Sequence, residues 1–142
     1  MTPYLDDWVE RILRERALLD LTTQRDLMVK HFVYAAQSWI RMTDPRTGLA
    51  IPYLRYVSAA LPNSPYSHLE KHEVILPVTH PFWTVWYPPN GLDCRCTVMG
   101  ITESLLRQRG WTVTQEPQFR YPAPTPGFDF NIGKLLQERG EC

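Results

Sequence analysis

Two thiols and two imidazoles are the side chains of this sequence best suited to chemistry: Cys94 and Cys96, one residue apart, and His68 and His72, four apart. Two thiolates and two imidazoles satisfy tetrahedral zinc, and histidines four apart share a face if residues 67–73 are helical. Cys-x-Cys is tighter than the Cys-x2-Cys of the common zinc knuckle. A zinc site on Cys94, Cys96, His68 and His72 therefore competes with a plainer reading. In that reading both cysteines are small buried residues at the start of a strand and His68 bonds a loop backbone. Zinc is the one cofactor the sequence brings into question.

The same stretch holds acid–base groups for an enzyme, His68, Glu70, His72 and Glu73, with Cys94 or Cys96 as a nucleophile. Nothing in the spacing orders them. There is no Gly-rich phosphate loop, no Gly-x-Ser-x-Gly elbow and no His-Glu-x-x-His, so no catalytic residue is assigned. Arg95, between the cysteines, points away from both if the segment is a strand, and can pair with a carboxylate or bond loop carbonyls. His80 precedes Pro81 in an extended turn and is expected to face solvent. Residues 81–89, Pro-Phe-Trp-Thr-Val-Trp-Tyr-Pro-Pro, set four aromatics between prolines. Such a segment either roofs a core or offers a partner large, rigid contact area. A chain of 142 residues with five tryptophans does not easily bury them all, so Trp83, Trp86, Tyr87 and Phe128 are the candidate partner contacts.

These residues must be positioned by elements that the periodicity reveals. From Pro3 to Leu19, Leu5, Trp8, Val9, Ile12 and Leu13 recur at three- and four-residue spacings, with Asp6, Asp7 and Glu10 early and Arg14 and Arg16 late. That is an amphipathic helix whose charges suit its dipole. Thr22 or Thr23 can cap a second helix to about Met42 that buries Leu27, Met28, Phe32, Ala35, Ala36, Trp39 and Ile40. The turn chemistry of Asp44-Pro45-Arg46-Thr47-Gly48 ends it. Residues 49–57 favour a strand, although Pro52 argues for an edge or a start and against a central place. Residues 74–78, 97–101 and 111–114 read as further short strands. Thr102 to Gly110 carries a threonine cap, late arginines and a terminal glycine, the marks of a short helix. Four prolines between Glu116 and Phe130 make an extended arm that needs a surface to lie on. Lys134 to Arg139 can add a helical turn or two.

The expected fold is α+β. An N-terminal helical hairpin packs on a small, loop-rich antiparallel sheet, with one further short helix and an extended proline-rich C-terminal arm. The whole of 1–142 is read as one domain, with 1–43 helical, 49–114 the α+β core and 115–142 the arm and tail; 44% hydrophobic content suffices for one modest core. Fifteen basic and fifteen acidic residues give zero formal charge, so no long-range attraction to nucleic acid or an anionic membrane is announced. No apolar run approaches the roughly 18 to 20 residues that span a bilayer, and Asp6 and Asp7 are unlike a secretory start. A soluble, cytoplasmically made chain is expected. Three cysteines, two of them one residue apart, do not make a disulfide scaffold.

Pro52-Tyr53-Leu54-Arg55-Tyr56, Ser67-His68-Leu69, Pro81-Phe82-Trp83, Tyr87-Pro88-Pro89-Asn90-Gly91 and Cys94-Arg95-Cys96, in that order and spacing, resemble the bacteriophage Mu F-like head morphogenesis family. Upstream, Arg25, Tyr34-Ala35-Ala36 and Trp39 are similar to the helix that precedes the family's core. Downstream, Gly127-Phe128-Asp129-Phe130-Asn131-Ile132-Gly133 extends the likeness, which covers roughly residues 22–133. The chain departs from the family where an arginine usually precedes the Ser-His element and a glycine follows it: Asn63, Ser64 or Tyr66, and Glu73 stand there. Members commonly have a longer N-terminal side. The resemblance implies a minor capsid or head morphogenesis protein of a tailed phage or prophage, with portal, coat or scaffold proteins as partners, found in the virion head and in the host cytoplasm during assembly. A toxin-like enzyme domain, ADP-ribosyltransferase-like or nuclease, is the alternative, since related domains stand beside such modules. A DNA-contacting internal head protein ranks third, because the arginines are scattered and interrupted by acids.

Overall fold

Buried side chains at positions 5, 9, 12 and 13 give the first helix one apolar stripe, and acids in its first turn with Arg14 in its last suit the dipole. The computed structural model describes residues 5–44, 51–57, 74–91, 96–115 and 127–140. In it this helix, α1, spans Leu5–Glu15. The chain then reverses through Ala17, a non-glycine residue in the left-handed region at φ 57°, and a 3-10 turn at Leu18–Leu21. Helix α2, Arg25–Thr43, follows and packs on α1, forming the expected hairpin.

The cap differs from expectation, and so do two expected core residues, the exposed Leu27 and the half-buried Ile40. Thr22 Oγ1 accepts the Gln24 N–H at 3.0 Å, so the threonine serves the turn before the helix, and Gln24 stands at the N-cap without a side-chain bond. Leu27 is 46% exposed. Met28, Phe32, Ala35, Ala36 and Trp39 take the inward stripe, which leaves Leu27 on the flank, about 100° round the helix from Met28.

Three strands form one antiparallel sheet in the order β2-β1-β3: β1 Tyr53–Val57, β2 Ile75–Pro77 and β3 Thr97–Ile101. Leu54 stands opposite both Leu76 and Gly100. The strand after Pro52 is thus the central one, contrary to expectation. The proline lies just before the paired residues, so the ring removes no ladder donor, and its carbonyl accepts the Val78 N–H at 3.0 Å. The expected strand at 111–114 forms no ladder. Thr114 reaches the outer edge of β2, its N–H donating to Ile75 O at 2.8 Å and its Oγ1 accepting from Ile75 N–H at 2.9 Å.

Between β2 and β3 lies a single helical turn, α3 at Phe82–Val85, which the sequence reading did not separate from its aromatic segment. His80 Nδ1 accepts the Phe82 N–H at 3.0 Å. The imidazole is therefore half-buried at the start of α3 and does not simply face solvent. Helix α4, Glu103–Arg109, matches its signals: Thr102 Oγ1 accepts the Leu105 N–H at 3.1 Å, and Gly110 closes the helix at φ 66°.

β1 divides the molecule. Leu54 and Tyr56 point into the core, fully buried, while Tyr53, Arg55 and Val57 face the other way and stay half-buried. There Arg55 lies 4.3 Å above the Trp111 ring and the Tyr53 hydroxyl donates to Glu103 at 3.1 Å. The last helix, α5 at Ile132–Glu138, packs on α2. Trp39 Nε1 donates to Gln137 Oε1 at 2.8 Å, and Arg139 bonds Glu15 of α1 at 2.9 Å. Of the proline arm, residues 116–126 lie outside the described residues. Among the described residues no helix is long and apolar enough to cross a membrane.

Two stability measurements follow from the α5 contacts. A Cβ at Gly133 would stand 2.7 Å from Trp39 Cβ, so Gly133→Ala should lower the urea-unfolding free energy by about 1–3 kcal/mol through overpacking. The hydrogen bond from Arg139 holds the Glu15 carboxyl below its ordinary 4.5. Because the folded-state pKa is lowered, this contribution is present above 4.5 and is lost as pH falls through the lowered value. The stability difference between wild type and Arg139→Gln, measured by denaturation at several pH values, should shrink as pH drops below 4.5.

Candidate functional site: an aromatic roof and the groove beside it

Above the inward face of β1 the aromatics assemble by edges and faces. Phe82 and Trp83 of α3 meet edge-on at 4.8 Å, Tyr56 meets Phe82 and Trp86 edge-on at 6.3 and 6.2 Å, and Trp39 of α2 meets Tyr87 at 5.3 Å. Such contacts add to area burial but do not fix a loop backbone. Asn90 does that. Its side chain is fully buried; Nδ2 donates to the carbonyls of Val85 at 3.2 Å and Phe128 at 3.1 Å, with Tyr87 O at 3.4 Å. Its Oδ1 accepts from the Tyr56 hydroxyl at 3.1 Å.

A second buried amide repeats the device. Asn131 Nδ2 donates to Trp83 O at 3.0 Å and its Oδ1 caps α5 by accepting the Lys134 N–H at 3.0 Å. Between these two amides run Phe128 and Phe130, stacked on Phe32 at 6.2 and 5.5 Å. Arg16 covers the outside, its guanidinium 4.0 Å from the Phe130 ring centre and bonded to Asp129 at 3.1 Å.

The four aromatics offered as partner contacts do not provide an outer surface. Trp83, Trp86, Tyr87 and Phe128 are 1%, 0%, 3% and 1% exposed; Trp86 packs on Tyr56 of the sheet, Tyr87 on Trp39 and Phe128 on Phe32 of α2. His68, His72 and Cys94 lie outside the described residues, as does Arg95. Cys96, the remaining member of the proposed ligand set, is half-buried and packed at the edge of the core. Among the described residues no three His, Cys, Asp or Glu side chains come together as a metal site.

Among the described residues the large exposed hydrophobics are Leu21, Leu27 and Tyr34, at 51%, 46% and 64%. Sequence reasoning missed them as a surface. Leu27 and Tyr34 are seven apart on α2, so they share one flank two turns apart, a spacing that could have shown the stripe. This flank forms one wall of a groove of about 470 Å³ whose other wall is Tyr87, Pro88, Pro89 and the start of β3. Burial pushes the Tyr87 hydroxyl far above its ordinary value of 10. A neutral phenol there remains a hydrogen-bond donor at any physiological pH.

Over 87 residues, 61% of its length, the chain is 36% identical to the Mu-like prophage FluMu F protein of Haemophilus influenzae. Over 105 residues, 73% of its length, it is 28% identical to the putative capsid assembly protein F of Escherichia phage Mu. The chain is Mu F-like. The matches span only 21% and 24% of those two relatives, so the chain represents about a quarter of their length or less. No family model and no solved structure matches. The Asn90 amide joins the Pro-Pro-Asn-Gly turn to the Phe-Asp-Phe-Asn run, and Asn131 ties that run to α3.

Asn90→Ala should therefore cost about 2–4 kcal/mol, since it strands buried carbonyls and the Tyr56 hydroxyl together. Tyr56→Phe, which removes a single bond to the same amide, should cost nearer 1 kcal/mol. Guanidinium denaturation of the two variants gives the comparison, and equal losses would show that the amide is no hub.

Proposed function

We propose that the chain is a structural component in assembly of a phage head, a minor capsid or head morphogenesis protein that works through protein contacts. The similarity to a protein named for capsid assembly carries the reading. The use of the polar groups supports it. The buried amides serve the chain's own backbone, and two exposed apolar side chains, Leu27 and Tyr34, lie along one flank of α2. A surface of this kind suits docking better than turnover.

Portal, coat or scaffold proteins are the proposed partners, and the virion head, with the host cytoplasm during assembly, the proposed location. These partners are repeated assemblies. Contacts that are weak singly can then sum to stable incorporation through effective concentration. The zero formal net charge agrees with protein contacts more readily than with DNA.

Co-sedimentation with particles from cells producing the phage head tests this. The wild-type chain should travel with heads or head precursors, and the pair Leu27→Asp with Tyr34→Asp should reduce its copies about tenfold while leaving its thermal unfolding near wild type, as for exposed sites. A wild-type chain that stays wholly in the soluble fraction would end the proposal.

A further inference from the structure

The two edges of the sheet are treated differently. Beyond β2 the chain returns, and Thr114 bonds Ile75 through both its N–H and its Oγ1. Beyond β3 nothing returns among the described residues. The pairing fixes which groups are left. In β1, Tyr56 turns its main-chain groups to β2, as Pro52 does just before it, so Tyr53, Arg55 and Val57 turn theirs to β3 and meet those of Ile101, Met99 and Thr97. Val98 and Gly100 therefore point their N–H and C=O groups away from the sheet, and no described residue bonds them. Edges of this kind are commonly guarded by a lysine, a proline or a bulge. Thr-Val-Met-Gly-Ile has no charge and no proline, and its five consecutive pairs with β1 leave no bulge.

We propose that this edge pairs with the same edge of a second copy, β3 against β3 antiparallel about a two-fold axis at Met99, joining two three-stranded sheets into one. Self-complementarity selects that occupant. In this register Val98 stands opposite the second copy's Gly100 and Gly100 opposite its Val98, so the outward N–H and C=O groups of both residues find partners in one closed set. The side chains agree with it. Gly100 puts no Cβ against the incoming valine, and Met42 Sδ and Ile51, 3.1 and 3.2 Å from where one would stand, give that valine an apolar floor. On the other face Met99 meets Met99 and Thr97 meets Ile101, with no like charges opposed. Because Thr114 already holds the outer edge of β2, the pairing closes at two copies and does not run on into a filament. The assignment goes beyond head assembly and does not rest on it.

Sedimentation velocity of the purified full chain over a range of concentrations is the test, and a reversible equilibrium of monomer and dimer is expected. Met99→Glu faces Arg55 across its own sheet, which suits the fold, yet it sets two carboxylates against each other at the axis. It should weaken the dimer about tenfold, with part of the loss recovered in high salt, while thermal unfolding of the dilute monomer stays near wild type. Met99→Cys reads the register directly. Residues on the axis form a non-hydrogen-bonded pair with Cα atoms about 4.5 Å apart, close enough for a disulfide. Mild oxidation should give a dimer bridged between the two positions 99, identified by peptide mass, and Thr97→Cys should give no bridge between the two positions 97. A chain that is monomeric at every concentration would overturn the assignment and leave the edge to a strand of another protein. So would a dimer indifferent to Met99→Glu, or one bridged at position 97 and not at 99.

Discussion

One primary amide, on Asn90, must satisfy backbone from two distant parts of the chain, and the arrangement above the sheet depends on it. Its donors reach the aromatic segment at Val85 and the C-terminal run at Phe128, while its oxygen takes the hydroxyl of Tyr56 from the central strand. Ring packing tolerates sliding, whereas hydrogen bonds to named carbonyls do not. Burying an amide is favourable only if every bond is made. Once they are, the turn after Pro89, the sheet and the 127–131 run have a single relative placement.

Asn131 extends the constraint to the last helix. It links α3 to the first turn of α5, and α5 in turn lies on α2 so closely that Gly133 meets Trp39 without room for a methyl group. The hairpin, the aromatic roof and the C-terminal helix therefore share one core. Among the described residues, the flank of α2 bearing Leu27 and Tyr34 is left outside it.

Much of this was legible in the sequence because the signals were local. The stripe of α1, the threonine and glycine that bound α4, and the strand at 97–101 all rest on neighbours within a few residues, where periodicity and capping are decisive. What stayed hidden was non-local. Pro52 argues against a central strand by itself, and only the register, which starts at Tyr53, removes the objection. The aromatic segment reads more readily as a roof, with some rings expected at an interface, and the enclosure of Trp83, Trp86 and Tyr87 depends on groups such as Asn90 and Asn131, whose partners lie up to 48 residues away. Leu27 and Met28 both read as inward, and only Met28 takes that direction. Of the proposed ligand set, Cys96 is the member placed, and the loop carrying His68 and His72 is outside the described residues.

The stacking of Phe128 and Phe130 on Phe32, and of α5 on Trp39, bears on how the chain is made. The N-terminal hairpin leaves the ribosome early, but the groups that cover its inner face are encoded some hundred positions later. At about 5–20 residues per second the hairpin stays uncovered for several seconds of elongation. During that interval its apolar stripe is open to chaperones or to self-association, and a ribosome that stalls before the Phe-Asp-Phe run releases a product with no lid for its core.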